Sequence, residues 1–290
     1  MSGEVKQPLF DTITVVGVGL ISGSLSLALK EKGLVRKVIG VSRTEETTQK
    51  ALALGLIDEA LPIEQAVPKS DLIYVAIPVD VMMPVTQRIL DLVTDKQIVV
   101  DAGSTKHALC EFLAEHPMRR RFVASHPMWG TEYSGPEAAV HNAFVGRTCV
   151  ICEKEKSDAD AVAKVEEMYR ALGMHLIYMD ADSHDMHTAY ISHISHITSF
   201  ALANTVLEKE KEEDAIFELA SGGFESTVRL AKSNPAMWVP IFMQNRENVL
   251  DVLNEHISQL RKFKACLEKE NYGYLLQLIE DANKIRRIIK

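Results

Sequence analysis

Up to about residue 180 the chain alternates short apolar runs with segments of helical periodicity. The runs Thr12–Val16, Lys37–Val41, Leu72–Ile77, Gln97–Val100, Phe122–Ala124 and Thr148–Cys152 predict strands. In the first four, apolar residues follow one another almost without interruption, as in strands covered on both faces. Helical spacing falls between them at Ser24–Lys32, Glu45–Ala53, Pro84–Val93 and Lys106–Glu115. A helix near Ser157–Leu172 and a strand near His175–Met179 extend the series. Such alternation predicts an α/β fold, a doubly wound and mostly parallel sheet. After about Asp182 the strand pattern stops. Long helical stretches follow at roughly Ser183–Glu210, Trp238–Glu268 and Tyr272–Ile289. The predicted division is an α/β domain over residues 1–181 and an all-helical domain over residues 182–290. The charged run Glu208–Asp214 reads as a solvated helix end and loop.

The 290 residues give each domain room for its own core, and 47% hydrophobic with 25% charged residues is ordinary globular composition. Forty acidic against 32 basic residues leave a net charge of −8. No overall basic excess is available for a nucleic-acid backbone, although a local basic cleft can still hold a small anion. The N-terminus lacks the apolar run of a secretory signal. The uncharged stretch Thr188–Leu207 contains His193, His196 and several hydroxyl residues, so it predicts a buried soluble helix and not a membrane span. A cytoplasmic protein is expected, with no nucleic-acid or membrane partner. Cys149 and Cys152 form a C-x-x-C inside a predicted strand, which places the thiols on opposite faces. They and the isolated Cys110 and Cys266 read as plain buried cysteines, and no metal site is expected.

The first predicted strand ends in Gly17-Val18-Gly19, and a helix opens a few residues later. Gly17 allows a tight turn, Gly19 allows close approach of a pyrophosphate, and the amides of Leu20 and Ile21 open the helix toward the anion. This is a Rossmann-type dinucleotide loop with Ser22 in the third glycine position, a residue small enough for close packing. The second strand leads into Ser42, Arg43 and Thr44, where an NAD site usually carries an acid. Hydroxyls and a guanidinium suit a 2′-phosphate, so NADP is expected over NAD. Glu45 and Glu46 are expected on the outer first turn of the next helix.

Further candidates fall at strand ends and on the helical half. Ser104 lies in Asp101-Ala102-Gly103-Ser104-Thr105-Lys106, and His126 opens His126-Pro127-Met128-Trp129-Gly130-Thr131-Glu132. Both follow carboxyl ends of strands, where open α/β sheets bind ligands. Taken singly, Ser104 also reads as a helix cap and His126 as a satisfied loop histidine. His193 and His196 share a helical face at spacing i, i+3, beside Ile194, Ile197 and Phe200, which read as core. His184 and His187 repeat the spacing and read as solvated. Arg229 suits a carboxylate, or else a surface ion pair, and Trp238 suits a pocket wall or ordinary packing.

In this order the motifs resemble those of the prephenate/arogenate dehydrogenase family of tyrosine biosynthesis. The matching stretches are GVGLISGS, DAGSTK, HPMWGTE, SHISH and GGFESTVRLAKSNPAMW, running from Gly17 to Trp238. Ser22, Asn234 and Ser226 depart from the family pattern, the last where relatives often carry an acid. The resemblance implies oxidative decarboxylation of prephenate or arogenate with hydride transfer to NAD(P). It implies His126 as proton acceptor with Ser104 bonding the same hydroxyl or orienting the imidazole. It further implies His196, Arg229, Trp238 and His193 around the substrate, and a homodimer through the helical domain. The ending at Lys290 is expected to leave little room for a regulatory domain after the helical one, so that any tyrosine inhibition acts at the active site. Two alternatives stand beside it. A β-hydroxyacid-type dehydrogenase would use a lysine such as Lys232, and a nucleotide-sensing Rossmann protein would not turn over.

Overall fold

The computed structural model describes residues 7–211 and 217–288. The strands are β1 (Phe10–Val16), β2 (Val35–Val41), β3 (Glu59–Ala60), β4 (Leu72–Val75), β5 (Ile98–Asp101), β6 (Phe122–Pro127), β7 (Thr148–Cys152) and β8 (His175–Met179). They form one sheet in the order β3-β2-β1-β4-β5-β6-β7-β8. Every pairing is parallel except β6 with β7. Between those two strands the chain carries only the one-turn helix Pro136–Ala138, so it doubles back instead of crossing over.

Helices α1 (Leu20–Glu31), α2 (Glu45–Ala53), α3 (Ile63–Ala66), α4 (Val79–Leu90), α5 (His107–Phe112) and α6 (Ala159–Ala171) accompany the sheet. Two apolar clusters cover its faces. Ile13, Val15, Tyr74, Val100 and Cys149 belong to one, and Val16, Ile73, Val75, Val99 and Cys152 to the other. The strand period therefore separates Cys149 from Cys152, and both thiols are buried and free. Burial pushes the Cys149 thiol up to about 12, which leaves it inert.

The helical half consists of α7 (Ala181–Thr188), α8 (Ile194–Glu210), α9 (Gly222–Val228), α10 (Pro235–Gln244), α11 (Arg246–Glu268) and α12 (Tyr272–Asn283). Several expectations change here. The stretch expected as one helix from Ser183 is α7 and α8 joined by a π turn over Ala189–His193. The stretch expected from Trp238 to Glu268 breaks at Asn245, whose side chain is drawn inward to bond other elements. Helix α4 begins at Val79, with Pro84 inside it and not at its start. Ile194, Ile197 and Phe200 are only half-buried, because α8 turns just Ser199 fully inward. Of the run Glu208–Asp214, residues 212–214 lie outside the described residues, as does Ile289. Among the described residues no helix is long and apolar enough to cross a membrane.

Register places the motifs along one edge. Val41, Val16, Val75 and Asp101 stand side by side where their strands end. The loops after β1, β2 and β5 leave from this row, and β6 carries His126 two residues past Ala124 beside it. The order reverses between β1 and β4, so the glycine loop sits at the switch point of the sheet.

Candidate active site

The turn from β1 into α1 needs its glycines for different reasons. Gly17 has φ +83°, and a Cβ there would meet the Ala76 carbonyl oxygen at 2.5 Å. At Gly19 a Cβ would meet nothing within 4 Å, so the open space is what a close ligand requires. Ser22 does more than fit. Its hydroxyl donates to the Gly17 carbonyl and accepts from the Gly19 amide at 3.2 Å, latching the loop to the helix. Close packing falls to Gly23 instead, where a Cβ would lie 2.9 Å from that of Ala139. Gly19 is the N-cap, so Leu20 and Ile21 hold the first amides of α1, which have no partner four residues back. Turn, open approach and free amides together fit a dinucleotide pyrophosphate.

Beside this loop, after β2, Ser42 is half-buried and its hydroxyl has no protein partner among the described residues. Arg43 is exposed, with no ion pair among them. Thr44 is committed elsewhere: it caps α2, accepting from the Thr47 amide at 3.3 Å and donating to the Thr47 hydroxyl at 2.8 Å. Its one hydrogen is therefore not available to a phosphate. Glu45 and Glu46 occupy the first turn of α2, and Glu46 pairs with Lys50 at 3.0 Å.

His126 Nδ1 lies 2.9 Å from His184 Nε2, and His184 Nδ1 lies 2.7 Å from Asp185 Oδ1. The Asp185 carboxylate also accepts the amides of Lys106 at 2.7 Å and His107 at 3.0 Å, capping α5 from α7. These bonds assign the hydrogens. A carboxylate only accepts, so His184 donates from Nδ1 and accepts at Nε2. His126 then donates from Nδ1, which leaves its Nε2 a lone-pair acceptor with no protein partner among the described residues. Burial, followed by the nearby His184, Lys106 and His193, holds the His126 imidazolium pKa well below 6.5. Burial also lowers His184, against the opposing pull of Asp185.

His184 was expected to be solvated and is instead 1% exposed, because α7 packs onto the carboxyl edge of the sheet. His187, one turn on, is exposed. Asp101 and Lys106 form a fully buried ion pair under the site. Lys106 Nζ also donates to the Ser125 carbonyl at 2.8 Å, and Asp101 accepts the Ser125 amide at 3.0 Å. With its partners satisfied, this pair ties the β5 loop to β6 just before His126. Ser104 sits on that loop, half-buried, with a hydroxyl free of protein partners among the described residues. It makes no hydrogen bond to His126, whose orientation comes from His184.

On the helical side, His193 is buried and accepts at Nδ1 from Asn245 Nδ2 at 3.2 Å. The same amide nitrogen donates to the Asp185 carbonyl at 2.7 Å. Burial brings the His193 pKa down to about 4, so it is neutral and carries its hydrogen on Nε2. His196 donates from Nδ1 to the Ser192 carbonyl at 3.0 Å and stacks on Trp238 with ring centroids 3.4 Å apart. The buried Trp238 indole N–H has no protein partner among the described residues. Arg229, half-exposed, bridges the halves through Glu132 at 3.1 Å. Lys232 is exposed at the end of the same turn.

Contacts thus link His126 through His184, Asp185 and Asn245 to His193, and His193 through Trp238 to His196, while the glycine loop lies on the same sheet edge as His126. His184, Asp185, Lys106 and Asn245 were missed from the sequence. The adjacent pair His184-Asp185 ahead of the SHISH run was the one available signal. Among the described residues no cluster suits a metal ion.

The fold defines a Rossmann-type NAD(P)-binding domain followed by a helical region. Residues 25–178 match the nucleotide-binding domain of prephenate dehydrogenase and residues 180–281 match its dimerization domain, so the chain belongs to the prephenate dehydrogenase family. It is 30% identical over 279 residues to the prephenate dehydrogenase of Bacillus subtilis, covering 95% of this chain and 75% of that one. The crystal structure of Aquifex aeolicus prephenate dehydrogenase with hydroxyphenyl propionate and NAD+ superposes with a TM-score of 0.89 at 29% identity, covering 97% and 98% of the two chains. Synechocystis arogenate dehydrogenase superposes with a TM-score of 0.77 at 28% identity, covering 96% and 100%.

Proposed function

We propose that this chain catalyses the NAD(P)-linked oxidative decarboxylation of prephenate or arogenate. The observation that carries the reading is the relay from Asp185 through His184 to His126, which fixes His126 Nε2 as a neutral acceptor in the cleft. Each substrate is a cyclohexadiene with a hydroxyl on C4 and a carboxylate on C1. The nicotinamide, when bound, supplies the hydride acceptor for C4. His126 takes the C4 hydroxyl proton, and Ser104 donates a hydrogen bond to the same oxygen. The bond from C1 to its carboxylate breaks, CO2 leaves, and the electron pair aromatises the ring. The ring oxygen then recovers the proton from His126. Arg229 binds the side-chain carboxylate, while His193, His196 and Trp238 wall the pocket. Gly17, Gly19, Leu20 and Ile21 hold the cofactor pyrophosphate, and the domains divide at residue 181.

The direct test is to mix the purified protein with prephenate or arogenate and NAD+ or NADP+, following absorbance at ~340 nm, where the reduced nicotinamide absorbs. A rise with at least one pairing is expected. A flat trace with all pairings overturns the reading.

The same reading includes a preference for NADP, supported by Ser42 and by the unpaired, outward Arg43, with Glu46 held by Lys50. Thr44, used as a cap, drops out of the phosphate site. Wild type is expected to favour NADP about tenfold or more in kcat/KM, the worth of ~1.4 kcal/mol. Arg43→Ala should erase that margin by weakening NADP alone. A wild type favouring NAD, or an unchanged ratio in the mutant, removes Arg43 from cofactor choice.

The dimer belongs to this reading as well. Leu260, Leu267, Tyr272 and Leu276 on α11 and α12 are more than half exposed, an apolar face that a second copy would cover. A cytoplasmic location completes it.

A further inference from the structure

Helices α7 and α8 are not one regular helix. Ala189–His193 form a single π turn, in which the Ile194 amide bonds the Ala189 carbonyl five residues back. The turn separates His184 and Asp185 from His193 and His196. In an unbroken α-helix each residue advances by about 100°, so His193 would point about 180° away from His184 and His196 about 120° away. A π turn takes up one residue without advancing the helix, which reduces these angles to about 80° and 20°. The contacts agree with the reduced angles. His184 bonds His126, His193 shares Asn245 with the Asp185 carbonyl, and His196 stacks on Trp238.

We propose that the π turn is a phasing device. By absorbing one residue without advancing the helix, it keeps His193 and His196 on the side that His184 presents to the relay. This rests on the dehydrogenase reading for its consequence in turnover, but the rotation itself has a separate readout.

Ile191 is 66% exposed within the turn, so its removal takes out length and little packing. Deletion of Ile191 should restore a regular helix at the same angles, about 80° and 20°, and keep kcat/KM within a few-fold, whereas an alanine inserted after Met186 should turn the two histidines by about 100° and lower kcat/KM by at least about a hundredfold. Ile191→Ala keeps the length and should behave as wild type. The second readout is Trp238 emission in a Trp129→Phe background. Protonating His196 against the indole should quench it as pH falls below 6.5, since burial lowers the imidazolium pKa of His196. That quench should persist in the deletion and in Ile191→Ala and vanish in the insertion. It reports the rotation even if prephenate and arogenate are both inert. Cofactor binding, followed by reduced-nicotinamide fluorescence, checks folding and should persist in all three. A deletion that loses turnover, quench or cofactor binding overturns the proposal. So does an Ile191→Ala variant that loses them, or an insertion that keeps turnover and quench.

Discussion

His126→Asn should lower kcat by about 10²–10⁴ while leaving cofactor affinity near wild type, the usual size of a lost general base. Asparagine keeps the polarity and much of the volume but has no nitrogen lone pair with which to take a proton. The cofactor loop joins β1 to α1, and the hydrogen bond of the His126 side chain goes to His184, so cofactor affinity has no reason to change. The pH profile of wild type adds a second check. The active form is the neutral imidazole, and burial together with His184, Lys106 and His193 disfavours its protonation. Turnover should therefore hold as pH falls past 6.5 and decline only well below it, and that acid limb should be absent from the mutant. A mutant within a few-fold of wild type would take His126 out of the chemistry. A wild-type profile half lost at 6.5 would contradict the buried, neutral relay.

Arg229→Ala should raise KM for the cyclohexadiene by about 10–150-fold and leave KM for the cofactor unchanged. A charge-assisted bond to a carboxylate is worth about 1.5–3 kcal/mol, and that is what the truncation removes. Folding stability should hardly move, because the bond to Glu132 is an ion pair screened by solvent, with half of the Arg229 side chain exposed. Only one guanidinium nitrogen, Nη1, is engaged by Glu132, so the other donors remain for a ligand. Steady-state kinetics with each substrate varied in turn separates the outcomes. An unchanged KM would leave Arg229 with no role beyond its ion pair.

Much of the α/β half was legible in sequence because buried parallel strands are runs of apolar residues, and the runs at Thr12–Val16 and Thr148–Cys152 fall on β1 and β7. Strand β3 escaped because its two half-buried residues, Glu59 and Ala60, make no pattern. The helical half was legible only as helix. Its breaks lie at a π turn and at Asn245, neither marked by glycine or proline, and both serve contacts between elements distant in sequence. The same limit explains His184. Spacing along a helix cannot say which face meets another domain, and the bond from His184 to His126 spans 58 residues. Ser22 shows a different gap: size was visible in the sequence, but the hydroxyl latch across Gly17 and Gly19 needed coordinates.

The relay behind His126 is a closed end. His184 is 1% and Asp185 3% exposed, and the carboxylate is held by two main-chain amides. No chain of titratable groups runs from there to solvent among the described residues. For most dehydrogenases acting on alcohols such a cul-de-sac would be a defect, since each cycle releases a proton that must be exported. Oxidative decarboxylation of a 4-hydroxycyclohexadiene is different. Hydride and CO2 leave, and the phenolic product regains the hydroxyl hydrogen, so the cycle is proton-neutral. A base that parks a proton for the life of one intermediate and hands it back to the same oxygen needs no conduit to bulk water. A sealed histidine pair suits that kind of catalysis.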